Sequence, residues 1–421
     1  MPLTQKIKKD FKNYKTYGFN FFRWLLIGLL IGLICGLLGA LFAKSINFAT
    51  ELRGQNNWFL YLLPFGGIII VALYRLCSVT GIGTNQVFES TKNNKPVSPL
   101  LAPAVFLGTV ITHLLGGSAG REGAALQLGG SISTLFSKTL RLNNKSRHIV
   151  TLSSMGAFFS ALFGTPLGAF VFAIEVVSVG SLCSAAFLPG IISSITAYYF
   201  STLLSVHPER FNLKAMPEFE LDIVWKVVVI AILSALISII FCRAMHLTHK
   251  LFKKFVGNEY LRVALGGVII VLLTLILGTT DYNGGGIDVI NKIFETGEVR
   301  YEAFLLKIIF TAITIGAGFK GGEIVPTFFI GATFGGAIAT LLGLDPALGA
   351  AVGMAALFCG VTNCPVATII LSVELFGGNG ILYLALSAII SFVCSGYCSL
   401  YSGQKLIFSK TDEDIINISA T

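Results

Sequence analysis

The chain has 421 residues, of which 54% are hydrophobic and only 12% are charged, and its mean hydropathy is +0.80. A soluble domain carries about 25% charged residues, so this composition excludes an ordinary water-soluble protein and predicts a polytopic protein of the lipid bilayer. The net charge of +9 does not indicate a nucleic-acid partner, because much of it lies at the chain ends and in short loops, where positive charge sets membrane topology.

The chain begins with a basic segment, residues 1–18, ahead of the first apolar run. Positive charge beside a first span favours the cytoplasmic side, so we expect a cytoplasmic N-terminus in a multi-pass protein of the inner (plasma) membrane. The run at 24–42 is long enough to span by itself and is not followed by a clear cleavage site, so we expect it to be retained. The lysines of the basic segment are Lys6, Lys8, Lys9, Lys12 and Lys15.

Further apolar runs continue to residue 402, and several are too long or too short for one straight span. Glycine and proline interrupt them at Pro64-Phe65-Gly66-Gly67 and at Gly164-Thr165-Pro166, which predicts broken or re-entrant helices. A polar stretch then divides the chain into nearly equal halves. The predicted organisation is a first transmembrane repeat at 19–205, a polar linker at 206–220, a second transmembrane repeat at 221–403 and a short cytoplasmic tail at 404–421.

Three short patterns recur in the same order in both halves. Three matches at nearly one spacing predict two structural repeats. The segments do not fix the number of spans in each half, so they leave open whether the repeats are inverted. The matches are 81–87 with 284–290 at a spacing of 203 residues (284 − 81), Ala124 with Pro326 at 202 (326 − 124), and Pro166 with Pro365 at 199 (365 − 166).

An ionisable pair lies between two apolar runs in Gly116-Gly117-Ser118-Ala119-Gly120-Arg121-Glu122-Gly123-Ala124. Charges inside a membrane are costly and mark functional sites. The glycines indicate an unwound approach to a helix N-terminus, whose free N–H groups attract anions. Glu122 could occupy an anion position there and leave it by taking a proton, which would couple the two movements. The alternative is that Arg121 and Glu122 only pair with each other or lie at a membrane surface.

A second segment of this kind is Gly318-Phe319-Lys320-Gly321-Gly322-Glu323-Ile324-Val325-Pro326. Proline near a helix start after glycines again exposes backbone donors, here at Ile324 and Val325. The alternative is a helix-terminal turn with a solvated pair of Lys320 and Glu323.

A hydrolase is the alternative from a different class, because Gly116-x-Ser118-x-Gly120 matches a nucleophile elbow and His113 is nearby. That motif requires a strand–turn–helix context, whereas apolar helices are expected on both sides here. We expect no enzymatic activity and no cofactor or metal, since the sequence has neither a Walker A loop nor a His-Glu-x-x-His zinc pair.

These segments resemble a known family. Gly120-Arg121-Glu122-Gly123 is similar to the GREGP signature of the CLC family of anion channels and anion/proton antiporters, with Ala124 at the proline. The run 160–167, followed by Phe172-Ala173-Ile174-Glu175, resembles the family's proline-containing helix that ends in a glutamate. The resemblance covers about 20–405. It implies an all-α, polytopic, CLC-type fold of two inverted repeats with broken and re-entrant helices, and a homodimer with a separate pore in each subunit.

The departures from the family pattern point to one branch. Gly81-Ile82-Gly83-Thr84-Asn85 replaces the GSGIP of chloride-handling members, and Gly322-Glu323-Ile324-Val325-Pro326 replaces GxFxP. Val176 stands where many chloride/proton antiporters have a proton-transfer glutamate. Together with 318–335 and 395–405, these departures resemble the fluoride-selective bacterial branch.

The resemblance implies roles for two glutamates and a tyrosine. Glu122 corresponds to the gating glutamate that swings between an anion site and a protonated position, and Glu323 is expected to tune or relay protonation on the same pathway. Tyr401 matches the tyrosine whose hydroxyl closes the central site, and Tyr397, one helical turn earlier, is the alternative. Without the resemblance, Tyr401 would be interpreted as part of an interfacial aromatic belt.

The remaining expected site residues surround the anion. Ile82 replaces the site serine. Phe88 could be one ring of a phenylalanine pair, or plain packing, and Asn85 stands where the second ring is expected. Aromatic edges are positive and suit fluoride, a small and strong hydrogen-bond acceptor. The expected anion-binding residues are Ile82, Gly83, Thr84, Asn85, Phe88, Arg121, Gly123, Ile324, Val325 and Tyr401.

The function implied by the resemblance is fluoride/proton antiport, with fluoride exported in exchange for entering protons and fluoride resistance as the result. Two transport alternatives stay open. A chloride/proton antiporter would be favoured by a serine at position 82 and a glutamate at position 176. This chain has Ile82 and Val176 instead. A passive anion channel would share the Glu122 gate.

Overall fold

The computed structural model describes residues 3–93, 95–213 and 218–420, with side chains described from residue 17 onward. The lysines predicted to set topology, at 6–15, therefore have no described side chains, and 214–217 of the predicted linker lie outside the described residues. Within these ranges the chain folds into sixteen α-helices, eight on each side of the polar linker. The predicted all-α fold is thus confirmed.

The helices of the first half are α1 (Leu3–Gln55), α2 (Leu63–Leu76), α3 (Thr84–Lys92), α4 (Leu101–Leu114), α5 (Glu122–Thr139), α6 (Asn144–Phe163), α7 (Pro166–Glu175) and α8 (Phe187–Leu203). Those of the second half are α9 (Leu221–Phe255), α10 (Glu259–Leu277), α11 (Ile287–Thr296), α12 (Ala303–Ala317), α13 (Ile324–Leu341), α14 (Pro346–Thr362), α15 (Pro365–Phe376) and α16 (Ile381–Cys394).

The helices differ greatly in length. Six segments of the described chain are long and apolar enough to cross a membrane, including 39 residues of α1 and all 35 of α9. In contrast, α3, α7 and α11 have only 9 or 10 residues, about half of what a full span needs. The predicted mixture of spanning and broken helices is confirmed.

Two long apolar runs are each divided by a left-handed residue and a proline. Gly164, at φ +74°, ends α6 ahead of Pro166, and Asn363, at φ +56°, ends α14 ahead of Pro365. A positive φ closes a helix, and proline fits the first turn of the next one. The predicted break at Gly164-Thr165-Pro166 is therefore confirmed.

The interruption predicted at Pro64-Phe65-Gly66-Gly67 is wrong, because Pro64 lies in the first turn of α2 and both glycines are inside that helix. A Cβ on Gly67 would lie 2.7 Å from Cγ2 of Val263 on α10. Glycine here permits close helix packing instead of breaking the helix.

The two halves exchange equivalent contacts. The Glu175 carboxylate at the end of α7 accepts a 2.8 Å hydrogen bond from Ala367 N at the start of α15. Glu374 of α15 accepts one of 2.8 Å from Gly168 N at the start of α7. Counterparts are 199 residues apart (374 − 175 and 367 − 168). Such reciprocal contacts are typical of a two-fold axis, so the two halves are structural repeats related by an approximate two-fold axis.

A small sheet adds to the helical architecture. Strand β1 (Ser178–Val179), after α7, pairs in parallel with β2 (Lys405–Phe408), which pairs antiparallel with β3 (Ile415–Ser419). The C-terminal tail is thus folded back against the end of the first repeat.

The most buried helices lie at the centre of the molecule. Nearly every residue of α5, α6, α13 and α14 is buried. The peripheral helices α1, α9 and α10 expose large apolar side chains, for example Leu26, Leu236 and Leu272, as expected for surfaces that face lipid. The charged residues at the starts of α5 and α13 therefore lie inside the protein.

Candidate functional site

The starts of α5 and α13 meet back to back at the centre of the molecule. Gly120 and Gly322 form an isolated antiparallel bridge, in which each N–H donates a 2.7 Å hydrogen bond to the other carbonyl oxygen. A Cβ on Gly322 would lie 2.3 Å from Gly123 N, and one on Gly123 would lie 2.8 Å from the Gly322 Cα. Only glycine allows this approach, which brings two helix N-termini together. The positive ends of both helix dipoles converge there.

Glu122 is the first residue of α5, and its side chain is fully buried. Its Oε2 accepts a 3.0 Å hydrogen bond from Arg121 N, and its Oε1 lies 3.6 Å from the Arg121 Nε. Oε1 has no hydrogen-bond partner among the described residues. A buried carboxylate oxygen without a donor is costly, so this side chain has the placement expected of a group that moves or exchanges a proton.

Glu323 immediately precedes α13 and is partly buried. Its Oε2 lies 3.3 Å from the position that a Cβ on Gly123 would take, so it reaches over the first turn of α5. Within the described part of the chain, this oxygen also has no hydrogen-bond partner. The two glutamates predicted to act on one pathway therefore belong to one cluster.

One cavity, of about 850 Å³, opens beside this cluster and is called the Tyr401 vestibule below. Its walls carry the loop before α3, Glu323, and basic side chains of α9 and α10. Cationic walls of this kind raise the local concentration of small anions. The basic residues that line it are His246, His249, Lys250, Lys253, Arg262 and Lys320.

A second cavity, of about 540 Å³, opens beside Gly120 and is called the Arg121 vestibule. The Arg121 guanidinium donates to Glu209 Oε1 at 2.9 Å and to Asn47 Oδ1 at 3.1 Å. The Val325 side of α13 also lines this cavity. The structure therefore holds the Arg121 side chain in an ion pair in this cavity, whereas Ile82–Asn85 and Tyr401 line the other one.

The structure brings Tyr401 and Phe88, two of the expected site residues, into contact. Both are buried, and their ring centroids are 5.3 Å apart at an angle of 71°, an edge-to-face arrangement. The Tyr401 hydroxyl is buried without a hydrogen-bond partner among the described residues. The hydroxyl oxygen of the alternative residue, Tyr397, lies 3.4 Å from Ser409 Oγ.

The expectation that Tyr397 precedes Tyr401 by one helical turn is wrong. Helix α16 ends at Cys394, and Gly396, at φ +58°, turns the chain away from a helical path. The two rings consequently have different surroundings, and Tyr401 is the one in the vestibule.

Ile82 and Gly83 lie in the loop before α3, Thr84 and Asn85 are the first residues of α3, and all four line the Tyr401 vestibule. The first N–H groups of a helix have no intrahelical acceptor, so the N–H groups of Thr84 and Asn85 are donors beside this cavity. Asn85 does not supply a second ring, and its Oδ1 instead accepts a 3.1 Å hydrogen bond from Gly403 N. Phe88 is thus paired with Tyr401 in place of a second phenylalanine.

Gln127 is a site residue that sequence reasoning did not single out. It lies on α5 in the wall of the Tyr401 vestibule, and its Nε2 donates a 3.0 Å hydrogen bond to Thr84 Oγ1. Its signal was a polar side chain within an apolar helical run. Gln127 holds the start of α3 against α5.

Lys307 was also missed, although a lysine inside an apolar run is an equally clear signal. It is fully buried in α12, and its Nζ donates to Gly284 O at 2.7 Å and Tyr282 O at 3.1 Å. These two hydrogen bonds fix the loop before α11, which lines the Arg121 vestibule at Asn283 and Gly285.

The hydrolase alternative lacks its geometry. Ser118 Oγ lies 3.1 Å from Thr311 Oγ1, and the His113 ring nitrogen Nδ1 lies 2.9 Å from Thr109 O. Ser118 follows helix α4 instead of a strand, so the strand–turn–helix context is missing.

The sequence agrees with a family model over residues 66–396, described as voltage gated chloride channel. The chain belongs to the CLC family. A curated relative from Pseudomonas syringae pv. tomato, named chloride/fluoride channel protein, is 33% identical over 92% of this chain and 87% of its own length. The H(+)/Cl(−) exchange transporter ClcA of Vibrio vulnificus is 25% identical over 89% of this chain and 85% of its own length.

Solved structures agree with this assignment. The crystal structure of a CLC-type fluoride/proton antiporter is similar with a TM-score of 0.88 and 30% identity, covering 91% of this chain and 98% of that one. A slow cyanobacterial Cl⁻/H⁺ antiporter is similar with a TM-score of 0.77 and 21% identity, covering 89% and 94%, which bears on the fold. The protein is a CLC-type anion transporter embedded in the membrane by multiple helices.

Proposed function

We propose that this CLC protein exports fluoride in exchange for protons and thereby confers fluoride resistance. The observation that supports this most directly is the cluster of Glu122, Glu323 and Tyr401. Each has a buried oxygen without a described hydrogen-bond partner. A group left in this state needs an exchanging ligand or proton to satisfy it.

The anion part of the proposal rests on the donors around Tyr401. Fluoride accepts hydrogen bonds strongly and requires compact donors to replace its water. The hydroxyl of Tyr401, the N–H groups at the start of α3 and the edge of an aromatic ring are such donors. Ile82 stands in the loop where a serine would favour chloride-type coordination.

The backbone around Gly123, Ile324 and Val325 supplies the other half of the anion path. These residues lie in the first turns of α5 and α13, where N–H groups have no acceptor within the helix. Glu122 lies at the same helix start. Its carboxylate would compete with the anion for these donors and leave them when protonated.

The proton part rests on the two glutamates lying beside different vestibules. Glu122 contacts Arg121 and reaches the Arg121 vestibule through it, whereas Glu323 lines the Tyr401 vestibule. We propose that Glu122 carries the coupled proton and that Glu323 tunes or relays its protonation. Val176 offers no proton-transfer group in the position used by many chloride/proton antiporters.

The orientation that we propose is supported by α1 and by the cations between α5 and α6. The far end of α1, at Arg53, lines the Arg121 vestibule, so that cavity is opposite to the basic N-terminus. The connection between α5 and α6 is rich in cations, with Lys138 in the last turn of α5, Arg141 in the loop and Lys145 in the first turn of α6. Under the positive-inside rule, the N-terminus and the Tyr401 vestibule are cytoplasmic, in the inner (plasma) membrane.

We also propose the organisation predicted from the sequence: a basic segment at 1–18, repeats at 19–205 and 221–403 joined by the linker 206–220, and a tail at 404–421. Two copies would assemble as a homodimer with one pathway in each subunit.

Two rival functions use the same site. A chloride/proton antiporter is favoured by the name of the Vibrio relative, and a passive channel by the name of the Pseudomonas relative. The test is a proteoliposome assay of the purified protein with fluoride or chloride inside and an imposed voltage, recording anion efflux and proton uptake together. The proposal expects fluoride efflux with uphill proton uptake and little chloride efflux. Chloride efflux of similar size would refute selectivity, and fluoride efflux without uphill proton movement would refute exchange.

A further inference from the structure

Tyr401 lies in a segment, 398–404, that has neither helix nor strand, so its ring position depends on contacts outside regular structure. The segment lies against the C-terminal end of α14. Leu400 N donates a 3.0 Å hydrogen bond to Val361 O, and Ser399 Oγ donates one of 3.1 Å to the same oxygen. Carbonyls in the last turn of a helix have no intrahelical donor. The segment with Tyr401 therefore acts as the cap of α14.

Gln404 closes the turn that begins at Tyr401. Its backbone N–H donates a 2.9 Å hydrogen bond to Tyr401 O. Its side chain is fully buried, and its Nε2 donates a 2.5 Å hydrogen bond to Thr362 O, the next carbonyl of the α14 terminus. The turn is thus tied to the C-terminal end of α14.

Asn363 joins these contacts to the rest of the tail. It is the left-handed residue that ends α14, a conformation that asparagine tolerates better than most residues. Its Nδ2 donates to Gln404 Oε1 and to Cys398 O, both at 3.0 Å. Its remaining acceptor, Oδ1, receives a 2.6 Å hydrogen bond from Lys410 Nζ.

Lys410 comes from the connection between β2 and β3. Its Nζ also donates to Phe392 O at 2.6 Å and lies 3.3 Å from Ser395 Oγ, both at the end of α16. One ammonium group therefore joins the C-terminal ends of α14 and α16, where a positive charge is favourable. Hydrogen bonds to charged groups are also stronger than neutral ones.

We propose that Lys410, acting through Asn363 and Gln404, is a positioning residue that fixes the Tyr401 ring in the anion site. The C-terminal tail is then part of the selectivity machinery. This inference rests on the proposed function of Tyr401 as an anion ligand. Loss of the lysine frees Asn363 Oδ1, loosens the turn at Gln404 and lets the Tyr401 hydroxyl shift, which relaxes discrimination against the larger chloride.

The experiment uses the full chain with 3-fluorotyrosine introduced at position 401, and compares Lys410→Met with Lys410→Arg. The matched control is Lys405→Met, because Lys405 is on the same tail and contacts Val177 O through its backbone N–H. Two readouts are taken: the ¹⁹F resonance at position 401 in detergent, and the ratio of fluoride to chloride transport in liposomes. We expect Lys410→Met to move or broaden the resonance and to lower the ratio about tenfold, the loss expected for a hydrogen bond to a charged group. Lys410→Arg should recover most of both, and Lys405→Met should leave both unchanged.

An unchanged resonance and an unchanged ratio in folded Lys410→Met would overturn the proposal. If that variant does not fold, Gln404→Glu replaces it, since the change keeps the shape of the side chain and puts a carboxyl oxygen in place of the amide donor to Thr362 O. It should move the resonance, and a static resonance would again overturn the proposal. If the wild-type protein shows no exchange of fluoride for protons, the proposed function fails, and the ¹⁹F response still decides whether the tail positions Tyr401.

Discussion

Gly120 and Gly322 donate to each other's carbonyl oxygens across the centre of the protein, with both hydrogen bonds 2.7 Å long. They occupy equivalent places in the two repeats, 202 residues apart (322 − 120). A second reciprocal pair surrounds them, in which Ser118 N donates to Thr314 Oγ1 and Lys320 N donates to Thr112 Oγ1. The local two-fold axis therefore passes through the candidate site, and both helix starts are fixed by the same contacts.

This close approach predicts a severe effect for Gly322→Ala. Its Cβ would lie 2.3 Å from Gly123 N. Because that atom belongs to the backbone, only a movement of the backbone can relieve the clash. We expect a loss of about 2 kcal/mol or more in stability, together with loss of transport. The measurement is the apparent melting temperature in detergent, with Gly378→Ala as control because no atom lies within 4 Å of a Cβ at Gly378. Equal melting temperatures for the two variants would refute the tight contact.

The reciprocal carboxylates Glu175 and Glu374 predict paired losses of stability. Each caps the helix start of the other repeat, so Glu175→Ala should weaken α15 and Glu374→Ala should weaken α7. Each change should cost about 1–2 kcal/mol. Thermal unfolding in detergent measures it, and the exposed Glu413→Ala serves as control. If both single variants unfold like the control, the caps do not stabilise the repeats.

The ion pair of Arg121 with Glu209 predicts a shift in the pH dependence of transport. Glu209→Gln leaves Arg121 less neutralised, which favours the ionised form of Glu122 and demands more acid for protonation. Glu323 faces the same helix start from α13, and Arg53 and His113 line the same cavity. The profile of transport against external pH should move to lower pH.

The matched control for this shift is Glu51→Gln, which removes an acidic group from the same vestibule without touching the described Arg121 contacts. A shift to higher pH, or an equal shift in both variants, would show that Glu209 does not act through Arg121.

Because the Tyr401 hydroxyl has no hydrogen-bond partner among the described residues, removing it should lower transport without lowering stability. Because Tyr401→Phe removes no described hydrogen bond, its melting temperature should stay close to that of the wild type. If the hydroxyl binds fluoride, transport at low fluoride should fall about tenfold or more. Initial fluoride efflux from liposomes measures this, and Tyr397→Phe is the control. Unchanged efflux in Tyr401→Phe would remove the hydroxyl from the anion site.

Much of this architecture could be predicted from the sequence because the decisive signals are local. Pro166, Pro365 and the glycines before Glu122 and Ile324 set helix boundaries through backbone geometry, and their repeated spacing reveals the two halves. A charge in an apolar run is equally visible, which is why the sequence alone points to Glu122.

Other parts depend on tertiary contacts that no local pattern encodes. The sequence allows the Arg121 side chain to turn to either side of the helix start. The ion pair with Glu209 determines which side it takes. Tyr397 and Tyr401 are alike in sequence, and the left-handed Gly396 separates their surroundings. The role of Lys410 could not be inferred at all, since its partner Asn363 is 47 residues away in the chain.

The most direct test of the account is proton coupling in Glu122→Gln. In liposomes with an outward fluoride gradient, the wild-type protein should drive protons inward against their own gradient, and the amide variant should move fluoride without any uphill proton uptake. Fluoride electrodes and a pH-sensitive dye record both fluxes at once. Uphill proton uptake that persists in Glu122→Gln would contradict the assignment of the coupled proton to this glutamate.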